Sequence, residues 1–299
     1  MVRLVYRSAT FLVFVTLAVA NEVFICRQVD GGSDCRNYND EDLARTNFSE
    51  TPSVVIRNGT IDDIERLLNG SLYHVPRFYI TNLVAVEGSQ SLERFPIEPK
   101  RFSVLHLTNS GIQQLEITGP DDSLISLDVK QNRLTTLGNI KFLASLEYLN
   151  ADQNAIESIS LDDFKDLHQL TRLSLRSNQI KSITATRPII LPYLKALDIS
   201  DNQLTDLNVT FWEFQILETF NLNDNSLTRV SGGLRERFPE ITTFSVGGRN
   251  NWDCQWIDDF LSSRKDRSWD LLVTGDRPDC PNQTRIARMI CCHDSKNRS

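Results

Sequence analysis

Apolar residues recur along the chain in one fixed order of spacings. The clearest copy reads Leu170, Leu173, Leu175, Asn178 and Ile180, and the positions between them are mostly polar. Four further copies carry an asparagine at the same point, namely Asn132, Asn154, Asn202 and Asn225, so the period is 22 to 24 residues. A unit of this length holds one short strand and a returning segment, and it must stack on neighbours because it cannot bury its apolar face alone. The pattern therefore predicts a solenoid.

Weaker copies extend the array at both ends. One carries Ser110 at the asparagine position, and another carries Arg249 there. A looser copy starts at Ile80, and residues 54–68 are a candidate for a degenerate first turn. We expect seven or eight units of the leucine-rich repeat type over residues 51–249. The predicted fold class is an α/β solenoid, a curved horseshoe whose parallel strands line the concave face.

The recurrent asparagines have a structural interpretation. A side-chain amide can bond the backbone groups of a turn that the strand ladder leaves unpaired, and buried polar groups need such partners. We therefore assign Asn132, Asn154, Asn178, Asn202 and Asn225 to a structural ladder, not to an active site.

Candidate binding residues lie between the apolar positions, because alternate side chains of a strand point to its outer face. Tyrosine and arginine are enriched among the residues that carry binding energy. The candidates on the concave face are Asp128, Lys130, Tyr148, Asn150, Asp152, Arg172, Ser174, Arg176 and Asp198. The alternative interpretation, ordinary solvated strand residues paired with their neighbours, is equally open at this point.

Residues 1–20 have the composition of a secretory signal peptide. Arg3 and Arg7 precede an apolar stretch at residues 11–19, and Ala18 and Ala20 form a small-x-small cleavage signature. The stretch is shorter than the roughly 20 apolar residues of a membrane span, so an uncleaved anchor is the less favoured alternative. We expect a soluble, extracellular protein that does not insert into a membrane.

All six cysteines lie outside the five clear repeats: Cys26, Cys35, Cys254, Cys280, Cys291 and Cys292. A solenoid exposes an apolar cross-section at each end, and disulfide-bonded caps can cover it in an oxidising compartment. We expect an N-terminal cap at residues 21–50, in which Cys26 and Cys35 close a hairpin. A C-terminal cap is expected at residues 250–292, before a polar tail at residues 293–299.

The four C-terminal cysteines allow three pairings. The adjacent Cys291 and Cys292 would form a strained ring with each other, so we expect each to bond Cys254 or Cys280. A crosslink between two chains through one of them is the alternative. The apolar residues Trp256, Ile257, Phe260 and Leu261 recur at helical spacing and predict a helix that packs on the last coil.

Asn-x-Ser/Thr sequons occur at six asparagines. Five are candidates for glycosylation in a secreted chain, namely Asn47, Asn58, Asn69, Asn208 and Asn282. Asn297 is disfavoured because it lies two residues from the end of the sequence. Asn208 is expected on a returning segment, where a glycan would leave the strand face open.

Net charge and histidine distribution exclude several classes of function. The formal charge of −7 at pH 7 argues against a general affinity for nucleic acid or anionic membranes. Four histidines fall in separate repeats or in the tail, so no nucleophile–base arrangement recurs and we expect no catalysis. His293 follows two cysteines, but secretion favours disulfides over a metal site. No cofactor is expected.

The terminal layout resembles that of the secreted leucine-rich immune proteins of mosquitoes. It combines the leader, the N-terminal cysteine pair, the repeats, an Asn-Trp-Asp sequence before Cys254, then Cys280 and the adjacent Cys291 and Cys292. Trp256 stands where a second cysteine of such caps is usual. The sequence stops seven residues after Cys292, so it resembles the form without a coiled coil.

This resemblance implies a non-catalytic binding scaffold of innate immunity in haemolymph. Its implied partners are complement-like thioester proteins, related repeat proteins or pathogen surfaces, and the chain would be a monomer or a dimer. The alternative function is that of a secreted adhesion or developmental ligand, which would bind a receptor or matrix protein through the concave face.

Overall fold

The computed structural model describes residues 93–260 and 290–293 in full, and the backbone of residues 261–262 and of seven further strands. These strands are Val13–Ala18, Glu22–Val29, Gly32–Tyr38, Val54–Arg57, Arg77–Thr81, Leu272–Thr274 and Arg285–Ala287. The chain divides into two compact units, residues 1–134 and residues 135–299. Each unit is built on a ladder of parallel strands, and together the repeats make about seven solenoid turns.

The described residues of the first unit form nine strands. They are β1 (Val13–Ala18), β2 (Glu22–Val29), β3 (Gly32–Tyr38), β4 (Val54–Arg57), β5 (Arg77–Thr81), β6 (Arg94–Ile97), β7 (Val104–Thr108), β8 (Gln114–Ile117) and β9 (Ser126–Asp128). Strands β1, β4, β5, β7 and β9 pair in parallel in that order. Strands β6 and β8 form a second, parallel pair on the returning segments.

The N-terminal hairpin has the form that the cysteine spacing predicts. Strands β2 and β3 pair antiparallel, and their register places Cys26 opposite Cys35. Strand β1 pairs with β2 and lies inside the segment predicted as a signal peptide. Cleavage of that segment stays a prediction.

One repeat frame predicted from the sequence is wrong. The sequence suggested that Ile80 opens its copy of the pattern, but the register pairs Phe78 with Leu105 and Ile80 with Leu107. Ile80 is therefore the third apolar residue of the unit, and Phe78 holds the second position, as Phe220 and Phe244 do in later units. Strand β4 lies at the start of residues 54–68, the candidate degenerate turn, and residues 58–68 lie outside the described residues.

The second unit repeats the same plan. Its main ladder is parallel and consists, in order, of strands β10 (Tyr148–Asn150), β12 (Arg172–Ser174), β15 (Ala196–Asp198), β18 (Thr219–Asn221), β20 (Thr243–Ser245) and β22 (Leu272–Thr274). The returning segments pair as β11 (Ser158–Ser160) with β13 (Ser182–Thr184), β14 (Ile189–Ile190) with β17 (Trp212–Glu213), and β16 (Leu207–Asn208) with β19 (Val230–Ser231).

Helix is scarce in the described residues, because most returning segments close with short strands and turns. The helices are α1 (Leu234–Arg237) and α2 (Cys254–Ser262), with 3₁₀ turns at Ile140–Phe142 and Leu161–Phe164. None of them is long and apolar enough to cross a membrane.

The core follows the repeat pattern. Leu170, Leu173, Leu175 and Ile180 are at most 3% exposed, as the pattern predicts for residues that point into the coil. Full burial of one such side chain contributes about 1.5 to 3 kcal/mol. Near the C-terminal end larger residues replace leucine, and the rings of Trp212, Phe214, Phe220 and Phe238 pack together with centroids 5.5 to 6.3 Å apart.

The asparagine ladder is confirmed. The side-chain nitrogen of Asn178 donates to the carbonyls of Ala151 and Leu175, both at 3.0 Å. Its Oδ1 accepts the backbone N–H of Ile156 at 3.1 Å. Asn178 is 8% exposed, so these bonds satisfy turn groups that water cannot reach.

The ladder extends one turn further than the sequence frame indicated. Arg249 was expected at the asparagine position of the last copy, but Asn250 takes that role. Its Oδ1 accepts the N–H of Leu227 at 3.0 Å, and its Nδ2 donates to the carbonyl of Leu222 at 2.9 Å. One additional residue in the turn, where Gly248 has a φ of +72°, shifts the frame by one position.

The C-terminal cap combines a disulfide, a helix and a small sheet. Cys254 bonds Cys292, and Cys291 is disulfide-bonded as well, so neither adjacent cysteine is left as a free thiol for a crosslink. Strand β24 (Ile290–His293) lies between β21 (Trp252–Asp253) and β23 (Arg285–Ala287). Cys280 and residues 294–299 lie outside the described residues.

Helix α2 lies where its apolar spacing predicts. Ile257 is 1% exposed, and the ring of Phe260 lies 5.3 Å from that of Phe244 on the last strands. Trp256, which takes the place of a second cap cysteine, stacks on Trp252 at 5.1 Å. Its indole N–H donates to the carbonyl of Val230 at 3.1 Å. Aromatic packing therefore fastens this part of the cap.

Candidate binding face

The outer face of the parallel strands carries the nine residues that the sequence singled out. Asp128 and Lys130 belong to the first unit. The other seven belong to the second unit and lie on β10, β12, β15 or the two residues after these strands: Tyr148, Asn150, Asp152, Arg172, Ser174, Arg176 and Asp198.

The last residue of six parallel strands is polar, and we call these residues the polar column: Asp128, Asn150, Ser174, Asp198, Asn221 and Ser245. Four of them are turn caps. In each, a side-chain oxygen accepts the backbone N–H two residues later: Asp128 from Lys130 at 3.1 Å, Asn150 from Asp152 at 3.0 Å, Asp198 from Ser200 at 2.9 Å and Asn221 from Asn223 at 3.1 Å. Asp128 and Asn150 are 7% and 8% exposed. Aspartate and asparagine recur here because their short side chains can bond the local backbone in this way.

Serine replaces this cap at two strands, and the preceding turn then supplies the acceptor. Beside Ser174, the carboxylate of Asp152 accepts the Ser174 hydroxyl at 2.5 Å and the N–H of Arg176 at 2.8 Å. In the turn of Ser245, the amide oxygen of Asn223 accepts the N–H of Gly247 at 2.6 Å. Most of the polar column therefore bonds the turn backbone, and this group includes Asn150 and Asp198, two of the candidate binding residues.

The residues that remain available to a partner are Arg172 and Arg176, with Tyr148 beside them. Both arginines are exposed, and Tyr148 is half-buried and opposite Arg172 in the strand register. In the part of the chain that the structure describes, neither guanidinium makes an ion pair or a side-chain hydrogen bond. Their backbones are held by the ladder and by Asp152, so two exposed cationic groups stand on a fixed support. The charge of Arg176 also acts on Asp152, where it lowers the pKa of the carboxyl group.

The charges on this face are unevenly buried. Burial raises the pKa of Asp152, and the hydrogen bond from Ser174 partly opposes this effect. In the first unit, burial lowers the pKa of His106, although the nearby Asp128 favours its charged form. Lys130 is half-exposed, and its ammonium lies 4.0 Å from the Asp128 carboxylate. The first unit thus presents a partly neutralised surface.

Sequence reasoning missed an apolar area on the returning segments of the second unit. Ile190, Tyr193 and Phe211 are 50%, 52% and 39% exposed. They lie outside the repeat frame, so the only signal was an excess of large apolar residues at positions where the other units are polar. In the described residues, no group of three or more histidine, cysteine or acidic side chains could hold a metal ion.

Comparison with known proteins agrees with this architecture. A leucine-rich repeat family model matches residues 122–180. The chain has the leucine-rich repeat fold. Asporin from Bos taurus is 27% identical over 135 residues, which are 45% of this chain and only 35% of asporin. This chain therefore spans about a third of that relative.

Solved structures with the same fold include repeat domains of mosquito proteins. The leucine-rich repeat domain of APL1B superimposes with a TM-score of 0.60 at 20% identity, over 83% of this chain and 75% of that one. The LRIM1/APL1C complex gives a TM-score of 0.58 at 18% identity, over 84% of this chain and 48% of that one. At identities this low, the superpositions show a common fold and nothing more specific.

Proposed function

We propose that this protein is a secreted, non-catalytic binding scaffold of innate immunity. Its outer strand face around Arg172, Arg176 and Tyr148 would receive an acidic segment of a protein partner. The observation that carries this proposal is the pair of exposed guanidinium groups, which make no ion pair in the described residues although the chain as a whole is acidic, at −7.

The scaffold preorganises the backbone of Arg172 and Arg176. Arg172 lies on a strand that is hydrogen-bonded to a strand on either side, and the N–H of Arg176 is bonded to Asp152. A partner that pairs with these groups would not have to order the backbone, which lowers the entropic cost of association. Arginine can bond a carboxylate through two parallel hydrogen bonds, and such bonds are stronger than neutral ones.

The class of partner is suggested by the cap layout and by the fold shared with the LRIM1/APL1C complex. We propose a complement-like thioester protein or another leucine-rich repeat protein, with pathogen surfaces as a further possibility of the same immune role. The second candidate function is adhesion or developmental signalling, which is favoured by the similarity to asporin, one of the extracellular matrix proteoglycans among the relatives.

A pull-down from insect haemolymph tests both the surface and the class of partner. The double variant Arg172→Glu, Arg176→Glu should lose most captured partner and keep its thermal stability. Lys165→Glu, Lys181→Glu makes the same change of charge on returning segments, where both lysines form only exposed ion pairs, and should bind as the wild type does.

Three results of this experiment would contradict part of the proposal. Equal capture by the arginine variant would place the binding site elsewhere. Equal loss in the lysine variant would indicate a general charge effect. Capture of a receptor ectodomain or a matrix protein, without any thioester or repeat protein, would favour the adhesion function.

A further inference from the structure

We propose that Asn208 carries an N-linked glycan, and that this glycan covers the exposed apolar side chains of Phe211 and Ile190. The residues Asn208, Val209 and Thr210 form a glycosylation sequon. Asn208 is exposed and belongs to β16, which pairs with β19 on the returning segments and not with the main strand ladder. A glycan at this position leaves the outer strand face open.

The two polar atoms of the Asn208 side chain differ in their hydrogen bonding. Its Oδ1 accepts the backbone N–H of Thr210 at 3.0 Å and the Thr210 hydroxyl at 2.6 Å. Its Nδ2, the atom that carries a glycan, makes no hydrogen bond within the residues that the structure describes. Glycosylation would therefore break no bond of the folded protein.

The ladder asparagines show the opposite arrangement. Asn202 is 5% exposed, and its Nδ2 donates to the carbonyls of Leu175, Ile199 and Ser200 at 3.0 to 3.1 Å. A sugar on that nitrogen would displace buried bonds. The chain thus contains asparagines whose amide nitrogen holds the fold and one sequon whose amide nitrogen is available.

The next turn fits closely against the oxygen side of the sequon. Gly232 has a φ of +94°, and a Cβ at this position would clash with the backbone nitrogen of Thr210 and lie 2.7 Å from Asn208 Oδ1. Glycine is required both for the backbone conformation and for this close approach. The packing therefore fixes the oxygen side of Asn208.

Attachment follows the usual amide chemistry of the secretory pathway. The Asn208 nitrogen bonds to the anomeric carbon of a lipid-pyrophosphate-linked oligosaccharide, the bond from that carbon to the pyrophosphate oxygen breaks, and the amide loses one proton. The lipid pyrophosphate is the leaving group. The product is a bulky, solubilising surface group.

The apolar side chains beside the sequon give the glycan a role. Phe211 follows Thr210 directly and is 39% exposed, and its carbonyl accepts the N–H of Ile189 at 2.8 Å. Ile190, the next residue, is 50% exposed. Contiguous exposed apolar surface promotes association, and a flexible glycan rooted three residues from Phe211 can cover it.

The first test is mass spectrometry of the full chain expressed in human cells. Trypsin releases residues 196–229 as one peptide that contains Asn208 and no other sequon. Glycan mass on this peptide supports the proposal. An unmodified peptide, whether from the medium or from cells that fail to secrete the chain, overturns it.

The second test addresses the covering role. Asn208→Gln and Thr210→Val both destroy the sequon, and both should self-associate more than the wild type at equal concentration in sedimentation velocity. Thr210→Ser keeps the sequon and should stay like the wild type. Adding Phe211→Ser to Asn208→Gln should restore the wild-type behaviour. If the wild type is glycosylated and its sequon variants remain equally monomeric, the covering role is overturned. This outcome does not depend on whether the proposed binding face is correct.

Discussion

The carboxylate of Asp152 accepts a hydrogen bond from the backbone N–H of Arg176, 24 residues later, at 2.8 Å. The same oxygen accepts the Ser174 hydroxyl. A residue of one turn thus caps the strand end of the next turn. Asp152 fixes the backbone of Arg176, whose side chain is exposed. This contact links the scaffold to the candidate binding face.

Asp152 should make stability depend on pH. Burial raises its pKa above the ordinary value of 3.8, so between these two values the folded chain binds more protons than the unfolded chain. Stability should therefore fall as the pH rises through this window. Asp152→Asn keeps an oxygen acceptor for both bonds and carries no charge, so its stability relative to the wild type should rise as the pH increases from 3.8 through the raised pKa of Asp152. Urea unfolding at several pH values measures this difference. A difference that does not change with pH would refute a raised pKa for Asp152.

Asn178 should be a determinant of stability. Asn178→Leu leaves the N–H of Ile156 without its partner and removes one of the two amide donors to the carbonyl of Ala151, the other being Asn154. The change should cost about 1 to 3 kcal/mol. Gln179→Leu makes a similar change at the next, exposed position and should cost far less. Denaturant unfolding of both variants checks the prediction, and equal stabilities would contradict the ladder role.

Asn250 and Arg249 offer a test of the corrected frame. Asn250 is 2% exposed and bonded to Leu227 and Leu222, so Asn250→Leu should cost about 1 to 3 kcal/mol. Arg249 pairs with Asp201 and Asp224 at the surface, where such pairs contribute about 0 to 1 kcal/mol, so Arg249→Leu should be mild. A larger loss for Arg249→Leu would restore the frame read from the sequence.

Asp198→Asn should place a glycan on the outer strand face. The change creates a sequon with Ser200 and preserves the oxygen that accepts the Ser200 N–H and hydroxyl. It removes the other oxygen, which accepts the side-chain amide of Asn221 at 3.0 Å. If partners bind this face, the glycosylated variant should lose capture, while Asn208→Gln should retain it. Enzymatic removal of the glycan, confirmed by gel mobility, should restore binding. If the fully glycosylated variant captures as much partner as the wild type, the strand face around residue 198 is not the binding site.

The repeat could be derived from the sequence because its signal is strong and local. Leucine, isoleucine or phenylalanine at fixed spacing determines which side chains point inward, and Asn132, Asn154, Asn178, Asn202 and Asn225 mark each turn. The frame failed at Phe78, where the unit has Leu83 instead of an asparagine three residues after Ile80, and at Asn250, where an additional residue shifts the pattern.

By itself, the sequence determined the solenoid, its period, the asparagine ladder and the cap helix, since each depends on the spacing of residues within a unit. Only the tertiary structure decided which polar residues of the strand face serve the fold. Asp152 reaches Arg176, and Asn223 reaches Gly247, across neighbouring turns. Such bonds join residues about one period apart, and their existence depends on the register of stacked strands, which the pattern within one unit does not specify.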